Sequence, residues 1–478
     1  MKKRCIGLGL AAFVVIAAAG CGGQERQNSF PAVVIKTEQN ADARETGQDT
    51  SGEEQDIDKE YRTDALDDGA EQTTAGTEQQ KTLDTDTAQQ DQRAESSIEQ
   101  ETESTGGDIQ HTGGNEGVDS PANKFVREMK IGWNLGNTLD AQSDQNKADE
   151  MAYESDWCGI VTTKEMVDEI RAAGFQTMRV PVSWHNHVSA DGSYTISEAW
   201  MNRVQEIVDY AIDNDMHVII NIHHDNSTSY MYPSKEYLEQ SRTYVAAIWS
   251  QVAERFADYD EHLIMEGLNE PRLIGTSDEW WLDLNKQQCV EAVQCINELN
   301  QVFVDTVRAS GGYNRERYLM VPGYAASLQG ATNPYFILPK DTADNENKIL
   351  LEVHAYTPYN FALCTPAESR STDQWSADDK ASTAEIDELM DILYEKYVQN
   401  GTGVVIDEFG ARDKNGNTQA RTEFAAYYVA AARQRGITCC LWDNNEFTGS
   451  GENFGVFNRQ ACSFPYPELV EGMMQACE

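Results

Sequence analysis

The sequence predicts an α/β fold, a closed (β/α)8 TIM barrel, over residues 121–478, and three observations predict it. Eight short apolar segments recur there about every 44 residues, which leaves room for a strand, a helix and two loops in each repeat. Some of them, such as HVIINI (217–222), are almost continuously apolar, as strands of a parallel sheet covered by helices must be. No glycine-rich phosphate loop follows the first segment, which disfavours the alternative, an open doubly wound sheet.

The eight strands are predicted near residues 130–134, 177–182, 217–223, 263–269, 318–322, 349–354, 404–408 and 438–443. Between them lie segments with the period of amphipathic helices, which would pack on the outside of the sheet. The clearest apolar stripe consists of Trp200, Val204, Ile207, Val208, Ala211 and Ile212. Gly174 is a plausible stop for the helix before the second strand.

The first 21 residues have the pattern of an export signal. Three basic residues at positions 2–4 precede an apolar stretch that is too short to cross a bilayer comfortably. Its end, AAGC (18–21), resembles the lipobox of bacterial lipoproteins, although Ala18 replaces the preferred Leu. We therefore predict a signal peptide over residues 1–21 and a lipidated Cys21 that anchors the protein to the membrane at the extracellular face of a bacterium. Plain secretion is the alternative.

Residues 22–120 are rich in Gln, Glu, Asp, Thr and Ser and contain no Trp or Cys. Such a segment cannot bury enough apolar surface to offset the entropy of the chain, so we predict a disordered acidic linker. The formal net charge of the whole chain is -43, which argues against binding to nucleic acid. Residues 121–478 are left as the functional domain, which we expect to be monomeric. Its eight cysteines leave disulfides and free thiols equally open.

Polar and aromatic residues stand where the predicted strands end. In a βα barrel these ends meet on one face, which is where active sites are built. The residues are Arg179, His223, His224, Asn269, Glu270, His354, Tyr356, Glu408 and Trp442. They contain no metal or nucleotide motif, so no cofactor is predicted. Because adjacent strand residues point to opposite faces, His223 and His224 are not expected to share a metal ion, and both could equally be core histidines.

Two carboxyl groups in one cavity are what glycoside hydrolysis requires, one to protonate the leaving oxygen and one to attack the anomeric carbon. Either glutamate alone would most simply be a solvated residue. However, Glu408 follows a run of buried aliphatic residues, and Pro271 ends the strand beside Glu270, so each charge needs a partner or a function. Arg179 near Glu408 would keep this nucleophile ionised. The acid Glu270 then needs less positive charge around it, or more burial.

The other residues fit the same chemistry. Tyr356 could donate a hydrogen bond to the nucleophile, and Asn269 could donate one to the sugar 2-hydroxyl group. Aromatic rings stack on sugar rings, and Trp442 is the candidate for the ring beside the cleaved bond.

Seven motifs resemble glycoside hydrolase family 5, and more narrowly its bacterial endo-β-1,4-glucanases. They occur in the family's order and span nearly all of the chain beyond residue 125. They are IGWNLGNTLDA (131–141), RVPVSW (179–184), IINIHHD (219–225), EGLNEPR (266–272), VHAYTPYNF (353–361), VIDEFGA (405–411) and LWDNN (441–445).

The resemblance implies a retaining double displacement, with Glu270 as the acid/base and Glu408 as the nucleophile. It places six residues around the cleaved bond: Arg179, His223, Asn269, His354, Tyr356 and Trp442. It places Asn134 and His224 at neighbouring sugars. The substrate implied is a cellulose-type or mixed-linkage β-glucan, with xyloglucan or β-mannan as alternatives. A non-catalytic surface receptor for glycans is a further alternative, disfavoured by the presence of both glutamates.

Two positions depart from the family pattern. Asp407 stands where relatives often have Gly, and Leu441 replaces a frequent Trp. We expect strand alternation to point Asp407 away from Glu408; otherwise Asp407 would raise the pKa of Glu408.

Overall fold

A computed structural model describes residues 119–143, 147–341, 348–449 and 451–478. The predicted signal peptide, the lipidation of Cys21 and almost all of the predicted linker lie outside the described residues. Within these ranges, no helix has the length and the apolar character needed to span a membrane.

Eight parallel strands close into a barrel in chain order, with the last strand paired to the first. The strands are β1 (Ile131–Asn134), β2 (Thr177–Val180), β3 (His217–Asn221), β4 (Leu263–Glu266), β5 (Leu319–Pro322), β6 (Ile349–His354), β7 (Val404–Phe409) and β8 (Thr438–Leu441). The predicted fold is confirmed. Strands β2, β3, β4 and β8 end two or three residues before their predicted limits, so several site residues lie on the loops that follow them.

The helices that the described residues form are α1 (Pro121–Met129), α2 (Lys164–Ala172), α3 (Glu198–Ile212), α4 (Leu238–Arg255), α5 (Gln287–Ala309), α6 (Leu328–Thr332), α7 (Tyr359–Ala362), α8 (Lys380–Lys396), α9 (Thr418–Gln434) and α10 (Pro467–Cys477). The apolar stripe predicted on α3 is buried from Trp200 to Ala211, as packing against the sheet requires. Helix α1 covers the amino-terminal end of the barrel, where Phe125 stacks on Tyr318 with ring centroids 3.8 Å apart.

The interior of the barrel has an apolar lower part and a charged upper part. Ile219, Ile264, Met320, Leu350, Val405 and Cys440 fill the lower part together with residues of α1. Above them lie four charged side chains with no exposed surface: Arg179, Glu266, Glu352 and Asp407. Charged groups in such a place must be paired or neutralised, and they lie directly below the carboxyl ends of the strands.

Strand β7 contains an irregularity that decides where two acidic side chains point. The register with β6 shifts between Glu352 and His354, and the register with β8 shifts between Ile406 and Phe409. A bulge of this kind re-aims side chains, so Asp407 and Glu408 both face the interior. The expectation that Asp407 points away is therefore wrong, because regular alternation does not hold in this part of β7.

All eight cysteines of the described residues are free thiols. Seven of them are buried, and only Cys462 is partly exposed.

Candidate active site

The two predicted catalytic carboxyl groups meet at the carboxyl end of the barrel. An oxygen of Glu270, an oxygen of Glu408 and a nitrogen of His354 all lie within 4.8 Å of one another. Nδ1 of His354 is 2.9 Å from Glu270 Oε1 and 3.5 Å from Glu408 Oε2. Glu270 follows β4 and Glu408 belongs to β7, so the closure of the barrel brings together side chains that are distant in the sequence.

Arg179 occupies the centre of the site beneath the cavity. Its Nη1 donates to Glu408 Oε1 at 2.7 Å, and its Nη2 donates to Asn269 Oδ1 at 2.8 Å. Its Nε and Nη2 also bind both oxygens of Glu266 at 2.7 Å. A guanidinium group held in this planar fork fixes the position of each partner.

Asn134 has a different place from the one that the resemblance implies. It is fully buried, its Oδ1 accepts from Arg179 Nη1 at 3.0 Å, and its Nδ2 donates to the backbone oxygen of Asp407 at 2.8 Å. Because the amide is used inside the barrel, Asn134 orients Arg179 and does not lie on the wall of the sugar cavity.

Tyr356 makes the predicted contact with Glu408, and Asn269 lies beside Arg179. The Tyr356 hydroxyl group donates to Glu408 Oε2 at 2.9 Å. Burial and the Glu408 carboxylate raise the pKa of Tyr356 well above its usual value, so the hydroxyl group remains a donor. Since Arg179 fixes the oxygen of the Asn269 amide, its nitrogen is left as a donor for a sugar hydroxyl group.

The two carboxyl groups titrate as a coupled pair. Burial raises the pKa of Glu408, and the Glu270 and Asp407 carboxylates raise it further against the opposing effect of His354 and Arg179. For Glu270, burial is outweighed by His354 and Arg272, and the pKa is lowered. In the free site Glu408 therefore has the higher pKa of the two, the reverse of the expected order, because His354 and Arg272 stand beside Glu270.

The surroundings of Glu270 differ from the expectation of little positive charge. His354 contacts one oxygen of Glu270, and Arg272 Nη1 lies 3.3 Å from the other. The Arg272 guanidinium also lies over the Trp280 ring, 4.0 Å from its centroid. Arg272, the last residue of the EGLNEPR motif, thus belongs to the site, although the sequence alone does not indicate it.

His223 and His224 lie beyond the end of β3, so strand alternation does not separate them. Their ring centroids are 4.4 Å apart, and their nitrogens lie within 4.8 Å of an oxygen of Asp140. The expectation that strand alternation points these two rings to opposite faces is therefore wrong. Burial lowers the pKa of His223 well below its usual value and that of His224 to about 4, so both rings are neutral near pH 7. Asn221 Nδ2 lies 2.9 Å from His223 Nδ1, which leaves Nε2 as the donor toward the cavity.

Trp442 forms a buried cluster with Leu363 and Phe454, and Tyr356 packs against this cluster. A close approach of the β1 loop fixes its position, because a Cβ atom at Gly136 would lie 2.8 Å from the indole ring. The ring is parallel to that of His223, with 6.1 Å between the centroids.

A cavity of about 270 Å³ is lined by Glu270, His354 and Tyr356. Its lining includes Trp280, Trp281 and Tyr359, and Trp281 is half exposed. Sequence reasoning missed this tryptophan pair, because both residues lie on a loop with no regular pattern around it. The pair adds aromatic surface to the cavity that contains Glu270.

Paired carboxyl groups at this separation, in an aromatic-lined cleft of a (β/α)8 barrel, define the protein as a glycoside hydrolase. The sequence comparison gives the family: the chain belongs to glycosyl hydrolase family 5, since residues 141–448 match the family described as Cellulase (glycosyl hydrolase family 5). Endoglucanase 1 of Ruminococcus albus is 41% identical over 395 residues, which are 82% of this chain and 89% of that protein.

Two solved structures are similar in fold and sequence. A glycoside hydrolase 5 lichenase from a Caldicellulosiruptor species, determined as a mutant with cellotetraose, is 56% identical with a TM-score of 0.74 and covers 75% of this chain and 95% of its own. A broad specificity endoglucanase from Ruminococcus champanellensis with bound cellotriose is 44% identical with a TM-score of 0.68, covering 74% and 98%.

Proposed function

We propose that the protein is a retaining endo-β-1,4-glucanase that cleaves internal bonds of cellulose-type or mixed-linkage β-glucan. The observation that carries the mechanism is the approach of Glu270 and Glu408 to within 4.8 Å around His354. Carboxyl groups this close leave no room for a water between nucleophile and sugar, as an inverting enzyme needs, and favour direct attack. The endoglucanase and lichenase names of the relatives support the substrate class.

In the first step, ionised Glu408 attacks the anomeric carbon and the glycosidic bond breaks. The leaving oxygen takes the proton of Glu270, and the sugar remains as an ester of Glu408. Arg179 and Tyr356 hold the two oxygens of the nucleophile. Since His354 Nδ1 contacts both carboxyl groups, a proton can reach Glu270 from Glu408 without movement of the backbone.

In the second step, Glu270 acts as the base. It takes a proton from a water molecule that attacks the anomeric carbon, and the bond to Glu408 breaks. Glu408 leaves as a carboxylate, Glu270 is protonated again, and the sugar has its starting configuration.

The test is hydrolysis of a panel of soluble polysaccharides: carboxymethyl cellulose, mixed-linkage β-glucan, xyloglucan and β-mannan. An endo enzyme lowers viscosity well before reducing ends accumulate, and NMR of the first product should give the β anomer. An α anomer as first product would exclude the double displacement. A polysaccharide that is bound but never shortened would favour the receptor alternative.

We further propose that the protein is a lipoprotein anchored through Cys21 at the bacterial surface. The AAGC sequence (18–21) after a short apolar stretch supports this proposal. Export of the full chain in a bacterial host with a radiolabelled fatty acid should label the wild type and not Cys21→Ser. An unlabelled wild type released into the medium would favour plain secretion.

A further inference from the structure

A second set of acidic side chains lies directly beneath the catalytic pair. Glu266, Glu352 and Asp407 come from β4, β6 and β7, and none has any exposed surface. Glu266 is fully paired, because Arg179 binds both of its oxygens and Asn221 donates to one of them at 2.7 Å. Glu352 and Asp407 do not have this set of donors, so their charges must be neutralised in another way.

Glu352 and Asp407 differ from Glu266 in their hydrogen bonding. Among the described residues, no donor reaches either oxygen of Glu352 or either oxygen of Asp407 within hydrogen-bond geometry. Asp407 Oδ2 does lie 3.2 Å from Arg179 Nε, as an ion pair. An oxygen of Glu352, an oxygen of Asp407 and a nitrogen of His354 lie within 4.8 Å of one another. Two bare carboxylates this close in a dry interior repel each other strongly, and one shared proton removes the repulsion.

His354 lies between this buried pair and the catalytic pair. Its Nδ1 faces Glu270 and Glu408, while its Nε2 lies 3.6 Å from Asp407 Oδ1 and has no hydrogen-bond partner among the described residues. An imidazole with a carboxylate at its far nitrogen is held in one orientation and favours the charged form.

The ionisable groups that face His354 include both acidic and basic side chains. Glu270, Glu352, Asp407 and Glu408 are the acidic neighbours. Arg179, His223 and Arg272 are basic, and Tyr356 is a hydrogen-bond donor to Glu408. Beyond them, Glu452 interacts with Glu270 and Glu408. Burial lowers the pKa of His354, but the Glu408 and Asp407 carboxylates outweigh burial and raise that pKa well above its usual value, and the neutral His223 ring adds no opposing charge.

We propose that Asp407 is a positioning residue that acts through His354, keeping the imidazole charged and aimed at Glu270 and Glu408, while Glu352 lies against Asp407 as a neutral carboxylic acid. The proposal rests on the proposed function. The proton on His354 Nδ1 is then the reserve on which Glu270 draws when substrate enters. Asp407 makes no contact with substrate.

The first experiment compares the pH dependence of kcat/KM for Asp407→Asn with that of the matched variant Glu352→Gln. Removal of an anion beside His354 lowers the proton affinity of the cluster, so the alkaline limb of Asp407→Asn should move to lower pH by about one unit or more. Glu352→Gln removes no charge and should leave the position of that limb unchanged, whatever its effect on rate. An unmoved limb in Asp407→Asn, or equal shifts in both variants, would overturn the proposal.

The second experiment needs no activity and is read on the wild-type protein. In 15N NMR spectra of the wild-type protein, both ring nitrogens of His354 should carry protons at pH 7, with the signal assigned by its loss in His354→Gln. A neutral His354 would overturn the proposal even if the enzyme hydrolyses β-glucan, and a charged His354 supports it even if the substrate is another polysaccharide. The same three side chains have the spacing of a metal site. A stoichiometric metal ion in the purified protein, removable with EDTA, would also overturn it.

Discussion

Arg272 Nη1 lies 3.3 Å from Glu270 Oε2, and the same guanidinium lies over the Trp280 ring, 4.0 Å from its centroid. Arg272 thus links Glu270, the acid of the catalytic pair, to Trp280, and both of these residues line the same cavity. A cation here lowers the pKa of Glu270. The alkaline limb of activity should therefore lie at lower pH than burial alone would place it.

Arg272→Met should move the alkaline limb of kcat/KM to higher pH. Without this cation the pKa of Glu270 rises, so Glu270 keeps its proton to a higher pH. The shift should be about one unit, because the side chain is only slightly exposed. The measurement is a pH profile on a soluble β-glucan. Arg242→Met is the control, since Arg242 is exposed and pairs only with glutamates on the helical surface; an equal shift there would contradict the explanation.

Glu270→Gln and Glu408→Gln should each reduce hydrolysis of soluble β-glucan by about three orders of magnitude or more. Thermal unfolding should change little, because the amide has the shape of the carboxyl group. Glu270→Gln should lose much less on an aryl glycoside with a good leaving group, since that group needs no protonation in the first step. Glu471→Gln on the exposed face of α10 is the control. Retained activity in Glu408→Gln would assign the nucleophile elsewhere.

Arg179→Met should both inactivate and destabilise the protein. Arg179 contacts Glu266, Asp407 and Glu408 in the interior, and its loss leaves their charges unpaired. Removal of one member of a buried ion pair costs about 3–5 kcal/mol of unfolding free energy. Urea unfolding measures the change. Arg435→Met, at a surface pair with Asp391, should change it by less than about 1 kcal/mol.

Gly136→Ala should weaken substrate binding through Trp442. The new methyl group would lie 2.8 Å from the indole ring and 2.9 Å from the backbone oxygen of Asp443, so the loop after β1 and the segment that carries Trp442 must move apart. We expect a KM for β-glucan raised about tenfold with a smaller change in kcat, since the carboxyl pair is not touched. Gly451→Ala is the matched control, because a Cβ atom there meets nothing within 4 Å. Unchanged kinetics in Gly136→Ala would show that the ring position does not matter for binding.

The sequence predicts the barrel and the catalytic pair because both depend on local patterns. Eight apolar segments define the strands, and the strand ends carry the site residues. The position of Asp407 was not predictable in this way, since the bulge in β7 depends on the register with both neighbouring strands. Regular alternation along β7 would allow only one of the neighbours Asp407 and Glu408 to face the interior.

Two other site residues are marked in the sequence by the apolar residues around them. Glu266 and Glu352 stand inside the apolar segments LIME (263–266) and ILLEVH (349–354), where a charge has no place without a partner. Arg272 stands two residues after the acid and gave no signal of its own. Trp280 and Trp281 reach the cleft only through the fold of the loop after β4, which no local period describes.

The eight unpaired cysteines bear on how the catalytic domain can be made and where it can work. Since no cross-link among the described residues has to form, this part of the protein needs no oxidant to mature, and production in a reducing cytosol should give the same native barrel. The domain should therefore fold equally well in an anoxic environment.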